Sequence, residues 1–299
     1  MRQINNYLKE KIGHKKFGIA LGSGGAKGIA HIGILEVFER NSIAINEISG
    51  SSIGAMIGAA YAAGLTIEEM KEIAFSIDLK KLWTFFDFTN PMTGGLIKGD
   101  VVEEFLDTIL PVKRFEELQI PFKCVATDLK TGEPVIFDTG ELVPAVRASI
   151  SLPGFFLPYK YQERLLIDGG IVNPVPVNLL THSDYTCAVI LNDYLGLKKW
   201  SAQKINIEEK IKAYLNEKFH PIIRHFPGNR KIIKLKFIKK LSISIDSMTR
   251  KIVEFNVNDF NPDLVIKPEV KDIATMAFYE SNKSYLAGTQ AAEKTLQVF

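Results

Sequence analysis

Ile48-Ser49-Gly50-Ser51-Ser52-Ile53-Gly54-Ala55-Met56-Ile57-Gly58-Ala59-Ala60 is the stretch that decides how this chain is read. It contains Gly50-x-Ser52-x-Gly54, the pattern of a nucleophile elbow. Apolar Ile43, Ile45 and Ile48 lead into it as a strand would, and small, helix-compatible residues follow as far as Gly64. A strand that feeds a helix through a sharp turn lifts the middle serine out of the sheet. Glycines on both sides let the two elements approach without a Cβ clash. The helix opening near Ile53 aims its N–H groups and positive dipole end at that serine. A plain Gly/Ser-rich turn gives the same letters, so the rest of the chain must decide between the two.

Upstream, Phe17–Leu21 reads as a buried first strand, Gly22-Ser23-Gly24-Gly25-Ala26-Lys27-Gly28 as a glycine-rich turn, and Ile29–Arg40 as a helix with apolar residues at helical spacing. Successive N–H groups of such a turn can converge on one anion. A phosphate loop is the competing reading. It fits poorly, because a Walker A turn needs Gly-Lys-Ser/Thr where Ala26-Lys27-Gly28 stands, and a dinucleotide turn counted from Gly22 needs glycine at Lys27.

Downstream, Thr66-Ile67-Glu68-Glu69 is a capping box. Leu79–Ile97 has no clean period. It carries Trp83, Phe85, Phe86 and Phe88 among breakers, which suits aromatics packed over a core edge or the wall of an acyl site. Asp100–Leu110 and Glu141–Ser149 read as helices; Phe122–Thr127, Pro134–Phe137, Leu165–Ile167, Ala188–Leu191 and Leu264–Ile266 as strands; Asp272–Gln297 as the closing helix. This alternation argues for a sheet with helices on both faces.

Asp168-Gly169-Gly170 closes one of those strands, where glycines allow backbone to approach a reactive carboxylate. Ser52 and Asp168 are therefore the candidate nucleophile and its partner, and Gly24–Gly28 the candidate oxyanion loop. A Ser…Asp…His order could draw on His182, His220 or His225, none in a strand-end setting. His31 reads as packed inside its helix, and His14 lies in the polar leader.

Composition bounds the rest. The chain has 299 residues, 46% hydrophobic, which suits one large α/β domain with an insertion. Cys124 and Cys187 lie in apolar runs, favouring reduced buried thiols and the cytosol. Residues 1–16 are polar with no apolar signal region, and Ile53–Leu65 is too short to span a bilayer. Lys198–Lys251 holds 15 Lys/Arg against 4 Asp/Glu. That is a net of +11 against a whole-chain +3, so the remainder carries −8. Apolar residues interleave with the cations, as in Lys231-Ile232-Ile233-Lys234-Leu235-Lys236. A basic insertion at about 196–255 could be a solvated face or could dock on an anionic membrane. Nucleic-acid binding has the charge but no recognisable module.

In their order, these blocks resemble the patatin-like phospholipases. Gly24-Gly25-Ala26-Lys27-Gly28 looks like that family's oxyanion loop, with Lys where Arg is commoner, and Gly50-Ser51-Ser52-Ile53-Gly54 like its elbow. Arg147–Phe156 looks like the segment preceding its aspartate, and Asp168-Gly169-Gly170-Ile171-Val172-Asn173-Pro174-Val175-Pro176 like its Asp-Gly-Gly block. The resemblance runs from about Phe17 to Leu191, with a weaker echo near Asp263–Pro268. Ser23, where the family pattern begins with Gly, departs from it. The resemblance implies a three-layer α/β sandwich over 17–299, with a mostly parallel central sheet and helices on both faces. It implies a Ser52–Asp168 dyad without a catalytic histidine, cofactor or metal, with Gly50, Gly54, Gly169 and Gly170 in support. The substrate would be a phospholipid, lysophospholipid or other acyl ester, and the setting cytoplasmic, peripheral on the inner membrane face. The alternatives are a non-catalytic lipid-binding scaffold of the same fold and a conventional Ser-His-Asp esterase.

Overall fold

The computed structural model describes residues 13–87, 97–191, 244–245 and 247–298. The chain divides into a main unit, Met1–Asp193 with Thr249–Phe299, and a second unit, Tyr194–Met248. The expected basic insertion falls mostly outside the described residues, although 247–260 is helical and its part from Thr249 onward belongs to the main unit.

The fold is a mixed α/β sheet with helices packed against it. In chain order the main unit carries β1 (Phe17–Leu21), a 3-10 turn (Gly25–Ile29), α1 (Ala30–Arg40), β2 (Glu47–Ser51), α2 (Ile53–Ala62), α3 (Ile67–Phe75), α4 (Leu79–Thr84) and α5 (Asp100–Ile109). There follow β3 (Phe122–Asp128), β4 (Pro134–Phe137), α6 (Leu142–Ser149), β5 (Tyr159–Tyr161), β6 (Arg164–Asp168), β7 (Tyr185–Val189), α7 (247–260, in this unit from Thr249), β8 (Leu264–Ile266) and α8 (Ser281–Val298). The sheet runs β5-β6-β3-β2-β1-β7-β8, with β4 also on β3. The five strands from β3 to β8 are parallel, while β4, β5 and β6 pair antiparallel. β1 and β2 are fully buried, which accounts for the apolar or small residues of Phe17–Leu21 and of Ile48–Ser51, since parallel strands are covered on both faces.

The registers on β3 position the site. Val125 pairs with both Ser51 of β2 and Ile136 of β4, so those strands flank β3 on opposite edges. Ala126 pairs with both Val135 of β4 and Asp168 of β6, which puts β6 on the same edge as β2. β2 runs parallel to β3 and β6 antiparallel, so the two meet end to end, C-terminus toward C-terminus, beside Val125 and Ala126. The residue after β2 is Ser52 and the last residue of β6 is Asp168.

Local signals behave as their chemistry dictates. The Thr66 hydroxyl accepts from the Glu69 N–H, and Glu69 accepts from the Thr66 N–H, closing the box that opens α3. The expected helix from Asp272 instead begins at Ser281, after a 3-10 turn at Phe278–Glu280. Residues 272–277 have helix-compatible composition, but tertiary contacts override it. The Thr275 carbonyl turns to accept the Ala26 N–H at 2.8 Å, a bond a regular helix would spend internally. The expected second strand from Ile43 starts at Glu47, whose buried carboxylate accepts from Lys123 Nζ, the Thr181 and His182 N–H groups and the Ser183 hydroxyl. In the 79–97 stretch, Phe85 packs on Phe105 of α5 with centroids 4.9 Å apart, and Trp83 on Phe86 at 5.1 Å; Phe88 lies outside the described residues.

Candidate active site

Ser52 sits between β2 and α2 with φ 55° and ψ −124°, a conformation a non-glycine residue adopts only where its surroundings over-determine it. Those surroundings are specific. Gly54 lies so close to β1 that a Cβ there would stand 2.0 Å from the Leu21 carbonyl oxygen, so only glycine lets α2 begin this near the sheet. The Ser52 N–H donates to Ser149 Oγ at 3.0 Å, and that hydroxyl donates onward to the Val125 carbonyl at 2.7 Å. The end of α6 thus pins the elbow to β3.

The Ser52 hydroxyl donates to Asp168 Oδ2 at 2.5 Å, and Asp168 Oδ1 accepts the Gly170 N–H at 2.7 Å. The Asp168 backbone is held on both sides: its N–H donates to the Ser151 carbonyl at 2.9 Å, and its carbonyl accepts from the Thr127 hydroxyl at 2.9 Å. Asp168 is 3% exposed. Burial raises its pKa to about 6, against the opposing pull of the Ser52 and Gly170 hydrogen bonds. The carboxylate is thus ionised at neutral pH yet far more basic than one in water.

The glycine loop spans the space between the two. Gly28 packs on the Ile53 side chain, next to Ser52, while Ser23 abuts Gly170, two residues from Asp168. Gly25 has φ +59°, the left-handed region that favours glycine. Several loop amides are already engaged: Gly22 N–H on the Val189 carbonyl at 3.2 Å, Ser23 N–H on Pro174 at 2.8 Å, Ala26 N–H on Thr275 at 2.8 Å. Ala26 is therefore an anchor of the loop rather than a donor to a ligand. Among the described residues, the Gly24 and Gly25 N–H groups have no protein acceptor.

Among the described residues, no histidine hydrogen-bonds to Ser52 or Asp168. The backbone of His182 bonds to Glu47, at the far end of β2, five residues or roughly 16 Å of strand from Ser52. His31 is wholly buried in α1, with Nε2 at 2.8 Å from the Gly22 carbonyl, and burial lowers its pKa to about 4. His14 precedes β1, and His220 and His225 lie outside the described residues.

Sequence reasoning left Ser149, Ser151, Thr127 and Thr275 without roles. Their alcohols and carbonyls are ordinary letters until the fold brings them together. Arg147 is also buried, donating to the Lys98 and Gly99 carbonyls and to Ser151 Oγ, with its guanidinium 4.7 Å from the Phe156 ring centroid. It ties the start of α5 to the strand end that holds Asp168. Cys124 and Cys187 are free, buried thiols whose pKa burial raises. No group of His, Cys, Asp and Glu among the described residues could hold a metal ion.

Comparison with known proteins follows the same outline. The family model for patatin-like phospholipase matches residues 19–181. An uncharacterized NTE family protein of Mycobacterium tuberculosis is 39% identical over 176 residues, covering 58% of this chain and 48% of its own length. Lysophospholipase NTE1 of Scheffersomyces stipitis is 26% identical over 301 residues, 97% of this chain and 18% of that protein. The chain thus spans less than half the length of these curated relatives. Among solved structures, VipD from Legionella pneumophila shares the fold, with a TM-score of 0.58 at 13% identity over 95% of this chain and 67% of that one.

Proposed function

The chain belongs to the patatin-like phospholipase family, and from that premise we propose that it is a serine-dependent lipid acyl hydrolase working through a Ser52–Asp168 dyad. The observation that carries the reading is the 2.5 Å hydrogen bond from the Ser52 hydroxyl to a buried, unusually basic carboxylate.

Asp168 takes the proton of Ser52 as its oxygen attacks the carbonyl carbon of the ester. The negative charge that collects on the former carbonyl oxygen is met by the Gly24 and Gly25 N–H groups. Asp168 then delivers its proton to the leaving alcohol as the C–O bond breaks, leaving the acyl group on Ser52. A water molecule, deprotonated by the same carboxylate, attacks the acyl-enzyme, and the proton returns to Ser52 as the fatty acid departs. The short, rigid Ser–Asp contact keeps the geometry of attack in place, which is a large part of what such a site contributes.

Phospholipids, lysophospholipids and related acyl esters are the substrate class that family membership and the lysophospholipase relative support. The uneven charge supports docking on an anionic membrane through Lys198–Lys251. No helix among the described residues is long and apolar enough to cross a membrane.

The deciding experiment is covalent labelling. A fluorophosphonate should modify Ser52 alone, and Ser52→Ala should remain folded, unlabelled and inactive on short-chain esters. Labelling that persists in Ser52→Ala refutes the dyad, and a wild type that neither labels nor hydrolyses any acyl ester leaves the non-catalytic lipid-binding alternative in its place.

A further inference from the structure

We infer that His31 is a positioning residue of the oxyanion site: it holds the Gly22–Ser23 peptide so that the following Gly24 and Gly25 N–H groups face the reacting carbonyl. The inference rests on the hydrolase reading above and assigns a role to a buried histidine that the dyad does not use.

Gly22 O is a carbonyl oxygen and can only accept, so the 2.8 Å contact fixes the hydrogen on His31 Nε2. The opposite ring nitrogen, Nδ1, is buried and has no hydrogen-bond partner among the described residues. An unpartnered buried acceptor costs free energy that an aliphatic side chain in the same space would not incur. The imidazole is therefore a poor choice for packing alone and a good one for its single N–H. Burial keeps the ring neutral at ordinary pH, and the Gly22 acceptor then selects this tautomer.

The bond falls where it controls the loop. The Gly22 N–H is held by Val189 and its carbonyl by His31; the next N–H, on Ser23, is held by Pro174. One peptide plane is thus clamped on both edges immediately before the two amides that lack a protein acceptor among the described residues. On the far side Ala26 is clamped by Thr275. The Val189, Pro174 and Thr275 anchors are all main-chain carbonyls, which substitution does not remove. His31 is the side-chain anchor in this set. Loss of its N–H leaves that plane held on the Ser23 edge alone, so that it can tilt about the Pro174 bond and change the direction of the Gly24 N–H.

The test compares wild type, His31→Leu and His31→Gln, all as full chains. Each is assayed for kcat and KM on p-nitrophenyl butyrate and for the rate of Ser52 acylation by a fluorophosphonate. His31→Leu should lose on the order of 10–100-fold in kcat and in acylation rate, the scale of a misaimed oxyanion donor, with KM within about twofold. His31→Gln, whose amide N–H has a similar reach, should recover to within about threefold of wild type. An active wild type with a folded His31→Leu of equal kcat overturns the inference alone. So does a Gln variant as poor as Leu, or a loss confined to KM. A wild type that neither hydrolyses the ester nor takes the label overturns the hydrolase reading and this inference together. Nitrogen NMR of the wild-type imidazoles needs no folded variant. His31 should show a protonated Nε2 and a bare Nδ1 at pH 7, and the other tautomer or an imidazolium there overturns the assignment.

Discussion

Replacing Asp168 with Asn should make the protein inactive and more stable at the same time. Burial lifts this carboxyl from 3.8 to about 6, which corresponds to roughly 3 kcal/mol working against the folded state once the group is ionised. The folded value lies above the unfolded one, so the folded chain keeps its proton to higher pH. The penalty is absent well below the unfolded value, grows as pH rises and is complete above the folded value. Integration gives about 0.5 kcal/mol at pH 4 and about 3 kcal/mol at pH 8. Asparagine is uncharged throughout, and its oxygen can still accept the Gly170 N–H that Asp168 Oδ1 accepts. The stability gain of Asp168→Asn should therefore be small at pH 4 and about 3 kcal/mol at pH 8. At about 2 °C per kcal/mol for a chain this large, that is roughly 6 °C in Tm. Urea unfolding of both proteins at the two pH values measures the gap, and an unchanged m-value shows that it reflects the native state. Esterase activity of the same samples should fall by roughly 10³–10⁴-fold, the scale seen when a base is removed from a serine triad. A variant less stable than wild type, or a gain of equal size at pH 4 and pH 8, refutes the buried-carboxylate reasoning.

The same carboxyl sets the pH profile: kcat/KM for a soluble ester should rise about tenfold per unit toward pH 6 and level off near pH 7, and a profile flat from pH 5 to 8 contradicts Asp168 as base. Gly25→Ala should destabilise the fold by about 1–3 kcal/mol and cut activity at least about tenfold. Its Cβ would stand 2.3 Å from the Thr275 carbonyl at a backbone φ of +59°, so an alanine variant with wild-type melting and rate is the contrary result. Changing Lys231, Lys234, Lys236, Lys239 and Lys240 to Gln should abolish sedimentation with anionic vesicles, at about 1 kcal/mol per cation near the surface, while sparing activity on a soluble ester. Equal binding of wild type to neutral and anionic vesicles would show that the charge is only a solvated face.

Sequence patterns named the strand ends well, because the chemistry there is local. Gly50-x-Ser52-x-Gly54 declares a tight strand-to-helix turn by its small residues, and Asp168-Gly169-Gly170 declares a carboxylate with close backbone neighbours. The packed state of His31 was equally visible in its helical spacing. What no spacing conveys is orientation. Leu165–Ile167 reads as a strand whichever way it runs, and only the pairing of Ala126 with both Val135 and Asp168 shows it reversed and collinear with β2. The five-residue glycine loop likewise looks uniform in sequence. The partition between anchored and open amides depends on Thr275 and Pro174, some 249 and 151 residues away from the amides they accept. Residues 272–277 read as helix because their composition suits one, and the demand of a distant N–H decided otherwise.

The head-on meeting of β2 and β6 has a consequence for the order of events during synthesis. Ser52 leaves the ribosome 116 residues ahead of Asp168, the carboxylate that accepts its hydroxyl. Domains fold as units during synthesis, and sheet pairings between distant residues form late. A nascent chain that ends after α2 has Ser52 but neither Ser149, which accepts its N–H, nor Asp168 beside it. β6 joins the edge of β3 only after β3 itself has docked on β2, since β3 supplies the register that brings Asp168 to Val125 and Ala126. The Ser52–Asp168 hydrogen bond thus arrives with one late docking event rather than gradually. A truncated or stalled chain ending before Asp168 holds Ser52 without the carboxylate that accepts its hydroxyl.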